Sequence, residues 1–115
     1  MCDKKGVGPE VMKTESRFFV GQLVHHRRFD YRGVIVDVDA VFGLSERWYE
    51  EMATSRPPKD RPWYKVLVHN GTHQTYVAER NLEPDESLDS INHPEIEDYF
   101  QRFIDGRYLS ARRAN

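Results

Sequence analysis

One cysteine, Cys2, is all that the 115 residues contain. No disulfide can close within the chain, and a cysteine-rich zinc site is excluded. A reducing, cytoplasmic setting is therefore expected. No apolar run approaches the roughly 20 residues that a membrane-spanning helix needs. The opening MCDKKGVGPE also lacks the apolar stretch of a secretory signal. Excess charge of one sign is missing too: the net charge is −2, so any attraction to phosphate has to come from a local patch. A phosphate-binding glycine loop, Gly-x-Ser-x-Gly and His-Glu-x-x-His are all absent, as are internal repeats and low-complexity runs. No enzyme signature remains, and no cofactor is implied.

What is present fits one small domain with a modest core. Residues 1–17 are polar, with Gly6, Gly8 and Pro9, and are expected to be a disordered leader. The domain is expected over 18–105. FFVGQLVHH reads as a first strand, with Val20, Gln22 and Val24 on one face and Leu23 and His25 on the other. RRFDYRG turns the chain, and Gly33 permits a bend or bulge. VIVDVD alternates, sending Val34, Val36 and Val38 one way and Ile35, Asp37 and Asp39 the other.

A long connection follows, AVFGLSERWYEEMATSRPPKDRP. Ser45 can cap a short helix from about Glu46 to Ala53, and Pro57, Pro58 and Pro62 forbid regular structure after it. WYKVLVHNGTHQTYVAER is two strand-forming runs around Asn70-Gly71, a strong hairpin signal. NLEP suggests a turn or short last strand with Leu82 inward. Beyond Pro84, the spacing of Ile96, Tyr99, Phe100, Phe103 and Ile104 predicts a C-terminal helix stopped by Gly106. Residues 106–115 then form a basic tail. The sum is a mainly β chain: a small SH3-like antiparallel β-barrel with a long loop between strands 2 and 3 and a C-terminal helix.

Several constellations could carry chemistry. His25 and His26 are adjacent, so on a strand they face opposite ways, and His69 and His73 fall on different faces of a two-residue hairpin; no metal site is expected. Asp37 and Asp39 share a strand face and could couple as an acid–base pair, but a solvated strand face or a turn-forming polar end is much the commoner explanation of such a pair. His25, His26, Arg27, Arg28 and Arg32 form one basic cluster, and Lys65 and Arg80 lie on neighbouring strands. Acidic residues concentrate in the 46–60 loop and in 83–98, so a basic face and an acidic flank are expected. Such a face suits phosphate, and an ordinary solvated surface suits the same residues. The aromatic residues Phe42, Trp48 and Tyr49 of the long loop could read a partner or a base edge, or build core.

Taken together, "FFVGQLVHHRRFDYRGVIVDVDAVF", "RPWYKVLVHN", "TYVAERNLEP" and the basic ending resemble the bacterial HspQ (YccV-like) family of hemimethylated-DNA-binding heat-shock proteins. The likeness covers about Phe18 to Pro84. It implies an SH3-like barrel, assembly as a homo-oligomer with a trimer as one option, and preferential binding to hemimethylated double-stranded DNA. It also implies a stress role in which the protein assists a Lon-type ATP-dependent protease. The implied location is the bacterial cytoplasm, with nucleoid association as an option. The family brings no catalytic residues and no cofactor. The leader of about 16 residues departs from its pattern.

Overall fold

A computed structural model describes residues 16–110. Five strands form one antiparallel sheet: β1 (Leu23–His26), β2 (Arg32–Asp39), β3 (Trp63–Val68), β4 (Gln74–Ala78) and β5 (Leu82–Pro84). The first four follow one another as a meander, and β5 returns to pair with β1, giving the spatial order β4-β3-β2-β1-β5. A 3-10 turn, Glu79–Asn81, separates β4 from β5. These two strands do not pair, so the closed barrel expected from the sequence is instead an open sheet with two edges.

The sheet nevertheless curls. Val77 of β4 and Leu82 of β5 stand on opposite edges, yet both join one buried cluster with Phe18, Val24, Ile35, Tyr64 and Val66. The hydroxyls of Tyr31, in the segment between β1 and β2, and Thr75 of β4 meet at 2.7 Å. Phe18 plugs one end, its N–H donating to Tyr64 Oη and its ring edge-on to Tyr64.

The other sheet face carries two further clusters. At one end Leu23, Val34, Val36 and Leu67 meet Ile91, Phe100 and Tyr108. At the other, Trp63 and Ala78 meet Tyr49 and Ala53 of the long connection. Alternation along β3 explains the division, since Tyr64 and Val66 face one way and Trp63 and Leu67 the other.

The β2 faces differ from expectation. The register against β3 shifts between Ile35 and Asp37, a bulge that places one extra residue in β2. Val34 and Val36 share a cluster as predicted, but Val38 joins Ile35 on the opposite face. A bulge reverses the phase of every later side chain. It lies at Val36 and not at Gly33. Gly33 serves another end, because a Cβ there would press on the Leu67 carbonyl and the Val66 side chain.

The C-terminal region is the larger correction. Only Ile96–Tyr99 is helical, a single turn, α2 in the chain. Phe100–Ile104 is a strand, β6, paired with β7 (Arg107–Ser110) as a separate hairpin. Asp105 (φ 54°) and Gly106 (φ 74°) make its two-residue turn, the conformation that Asp-Gly favours. The start of the expected basic tail is therefore strand. Its last residues, 111–115, and residues 1–15 of the expected leader lie outside the described residues; Ser16 and Arg17 are described and exposed.

The hairpin docks on the sheet through Phe100, Phe103 and Tyr108, the two phenylalanine rings lying tilted against Tyr108 at 5.2 and 4.4 Å. Gly21 (φ 94°) permits this contact. Its N–H donates to Ile35 O and its carbonyl accepts from Tyr108 N, and a Cβ there would collide with the Tyr108 carbonyl.

Two sequence expectations hold in detail. Ser45 Oγ accepts from Trp48 N at 3.1 Å and caps α1 (Glu46–Met52). Pairing of Leu67 with Gln74 puts Asn70-Gly71 at the hairpin tip, with Asn70 at φ 66°. No helix among the described residues is long and apolar enough to cross a membrane.

Candidate nucleic-acid interface

The basic cluster begins where β1 ends. The turn Arg27–Asp30 is shaped by His26, whose Nδ1 accepts the N–H groups of Arg28 and Phe29, each at 3.1 Å. An acceptor Nδ1 requires that nitrogen to be unprotonated. Burial, and then the Arg28 charge, hold the His26 pKa below its ordinary value. The imidazole stacks on Phe29 at 4.8 Å and packs beside Tyr31 at 5.0 Å. His26 is thus a buried support for the turn.

The support leaves Arg27 and Arg28 exposed at the apex. Neither pairs with a carboxylate of the described residues. Arg27 N donates to Asn81 O at 2.8 Å, tying the turn to the 3-10 segment that carries Arg80. Arg80 in turn borders a cleft of about 220 Å³ with Arg17 and Arg61. Sequence reasoning missed both of these arginines. Arg17 lies in a stretch read as leader, and Arg61 sits among the prolines of the long loop.

Other members of the predicted cluster are neutralised. Pairing of β1 with β5 sets His25 opposite Glu83. His25 bridges Asp30 and Glu83, each at 2.7 Å, and these two hydrogen bonds raise its pKa. Arg32 Nε donates to Asp85 Oδ2 at 2.8 Å, and its guanidinium reaches the Asp89 carbonyl. Burial alone would raise the Asp85 pKa, but the hydrogen bonds from Arg32 and Ser87 outweigh it and the net shift is downward. The acidic 83–98 segment is thus remote in sequence and adjacent in space. Lys65 is exposed on the far sheet face, opposite Asp37 across β2 and Tyr76 across β4.

The long connection is folded as a small aromatic lobe. Phe42, Trp48, Tyr49, Trp63 and Tyr76 pack with ring centroids 5.0–6.3 Å apart. Backbone carbonyls of the proline segment accept from two of them, Pro57 O from Tyr49 Oη and Pro58 O from Trp63 Nε1. Tyr49 is buried, Phe42 and Trp48 are half-buried, and Trp48 lines an open groove beside β4. Asp39 accepts from the Tyr76 hydroxyl, which in turn accepts from Gly43 N. Burial and the Asp39 hydrogen bond push the Tyr76 pKa far up. Asp39 is therefore committed to holding this lobe, and Asp37 accepts from Val38 N. No group of His, Cys, Asp and Glu that could hold a metal occurs among the described residues.

The site is thus a small curled sheet that carries solvent-facing arginines on one turn. Residues 16–107 match the family described as "Hemimethylated DNA-binding protein YccV like", and the chain belongs to this family. It is also similar to F-box only protein 21 of Mus musculus, with 30% identity over 114 aligned positions. That alignment takes in 92% of this chain, which spans 18% of the relative's length.

Proposed function

We propose that the protein is a non-enzymatic binder of double-stranded DNA that prefers the hemimethylated duplex. Arg27 and Arg28 hold phosphates, and Arg80, with Arg17 and Arg61, extends the contact. The observation that carries this reading is the pair of exposed arginines on a turn fixed by His26. Phosphate contacts position a duplex but carry no sequence information. Discrimination of one methylated strand needs an apolar contact for a methyl group in the major groove; Trp48 is the aromatic of the long loop best placed to offer one. His25 and Arg32, held by carboxylates, contribute little. The test is fluorescence anisotropy with unmethylated, hemimethylated and fully methylated duplexes of one sequence. Tighter binding of the hemimethylated duplex supports the reading, and equal affinity for all three removes the preference.

A second reading is an adaptor that assists a Lon-type ATP-dependent protease under stress. Exposed Phe29 and Met52 favour a protein partner. On this reading the Arg27→Ala, Arg28→Ala chain keeps its full effect on proteolysis. Assembly as a homo-oligomer is a further element of the proposal, tested by solution mass.

A further inference from the structure

The β4 strand is a sheet edge, and a groove of about 460 Å³ runs beside it. Phe29 and Tyr31 form one wall, Leu44, Trp48 and Met52 the other, and Tyr76 belongs to the floor. A narrower extension continues past Arg28 to Ala78 and Asn81. The groove therefore follows the whole strand, about 17 Å at the usual rise per residue.

Its floor offers backbone groups. In an antiparallel pair, hydrogen-bonded and non-bonded pairs alternate. Val68 N bonds to His73 O at one end, and Glu79 N bonds to Pro62 O at the other. With the continuous register between them, Thr75 and Val77 direct their backbone groups to β3. Gln74 and Tyr76 direct theirs to the open edge. Edge strands are commonly blunted by lysine, proline or a bulge; QTYVA has none of these.

The walls are apolar where a folded monomer has least reason to be. Phe29 is 66% exposed and Met52 62%. Charge on the rim has one sign: Lys65 and Arg28 line the groove, and no carboxylate does. A second copy of the chain fits poorly, since its own β4 is recessed between the same walls. A single extended strand fits.

We propose that β4 accepts an extended peptide segment of another protein as a sixth strand. Its apolar side chains seat against Phe29, Trp48 and Met52, and its carboxylates meet Arg28 and Lys65. This is β-strand addition, with main-chain bonds supplying affinity and the walls supplying selectivity. The groove shares Arg28 and Trp48 with the proposed DNA contact, but the outward backbone groups of Gln74 and Tyr76 serve the strand site alone, so failure of DNA binding leaves it standing.

The probe is a displayed library of random twelve-residue peptides selected on the full chain, the most enriched peptide then being made with a fluorescein label. Enrichment of apolar runs flanked by Asp or Glu is expected. Binding should fall about tenfold or more in Phe29→Asp and in Met52→Glu, both at exposed side chains, as expected for hot-spot anchors. Gln74→Pro should abolish it, because proline removes an outward N–H that no sheet bond uses. Gln74→Ala, which loses the same side-chain bonds to Glu95 and Tyr99, should retain it. N-methylation of alternate peptide amides should abolish it as well.

Failure to enrich any peptide would overturn the proposal. So would binding that survives both Gln74→Pro and N-methylation. A doubling of mass on concentration, lost in Gln74→Pro, would assign the edge to a second copy instead. An N6-methyladenine duplex that displaces the peptide, and whose own binding is lost in Met52→Glu, would assign the groove to a base.

Discussion

Tyr108 decides between a docked hairpin and a frayed tail. The residue is 5% exposed. Its ring meets Phe103 at 4.4 Å and Phe100 at 5.2 Å, and its hydroxyl accepts from Ile91 N at 2.8 Å. Tyr108→Phe keeps the ring and strands a buried N–H, which costs about 1–3 kcal/mol. Tyr108→Ala removes the ring as well, and emptying an aromatic site in a core costs about 3–5 kcal/mol. In a domain of this size each kcal/mol lowers Tm by about 4–8 °C. Urea unfolding followed by tryptophan fluorescence reads both variants, with the midpoint falling and the slope unchanged. A helix ending before Gly106 would leave Tyr108 in an exposed tail, where substitutions stay within about 0.5 kcal/mol. If Tyr108→Ala and Tyr108→Phe both fall in that range, the hairpin does not pack on the sheet.

Two pH effects follow from the ion pairs. The folded Asp85 pKa is depressed by Arg32 and Ser87, so its contribution is present above the unfolded value of about 3.9 and lost as pH falls through the folded value. Asp85→Asn should be the less stable protein near neutrality, with the gap closing on acidification; a gap that is constant with pH would contradict this. The folded His25 pKa is raised by Asp30 and Glu83, so its contribution is full below about 6.5 and lost as pH rises through the folded value. An NMR titration of the His25 ring should show a midpoint above the ordinary one, moving down in Glu83→Gln. A midpoint at or below the ordinary value would show that the bridge does not form in solution.

The sheet was legible where side chains alternate and where a turn signal is local. Trp63–Val68 and Asn70-Gly71 are examples, and the Ser45 cap is another. Two bulges defeated the periodic reading. In β6 the register shifts between Phe100 and Arg102, so Phe100 and Phe103 face the same cluster. A strand with one inserted residue carries apolar side chains at the spacing of a helix, and the C-terminal helix was inferred from that spacing. Asp105-Gly106 was the available counter-signal, as strong locally as Asn70-Gly71. At Val36 the same device moved Val38 across the sheet. The interface was half legible. Arg27 and Arg28 follow β1 directly, and a turn there is readable. That Glu83 and Asp85 return to neutralise His25 and Arg32 depends on β5 pairing with β1, a contact between segments some 60 residues apart that no local pattern encodes. Arg61 meets Arg80 because the β3–β4 hairpin continues through the Glu79 N to Pro62 O bond, and Arg17 joins them by donating its N–H to Glu79. The groove at β4 arises because the sheet stays open, which hydrophobic patterning does not report.

The salt dependence of binding to a hemimethylated duplex, measured by anisotropy for the native chain and for Arg27→Ala, Arg28→Ala, tests the arginine turn most directly. Each phosphate contact contributes about −0.9 to the slope of log K against log salt, so losing two should flatten it by about 1.8. The account predicts that flattening together with weaker binding to every duplex. An unchanged slope and affinity would contradict it and remove the turn after β1 from the DNA interface.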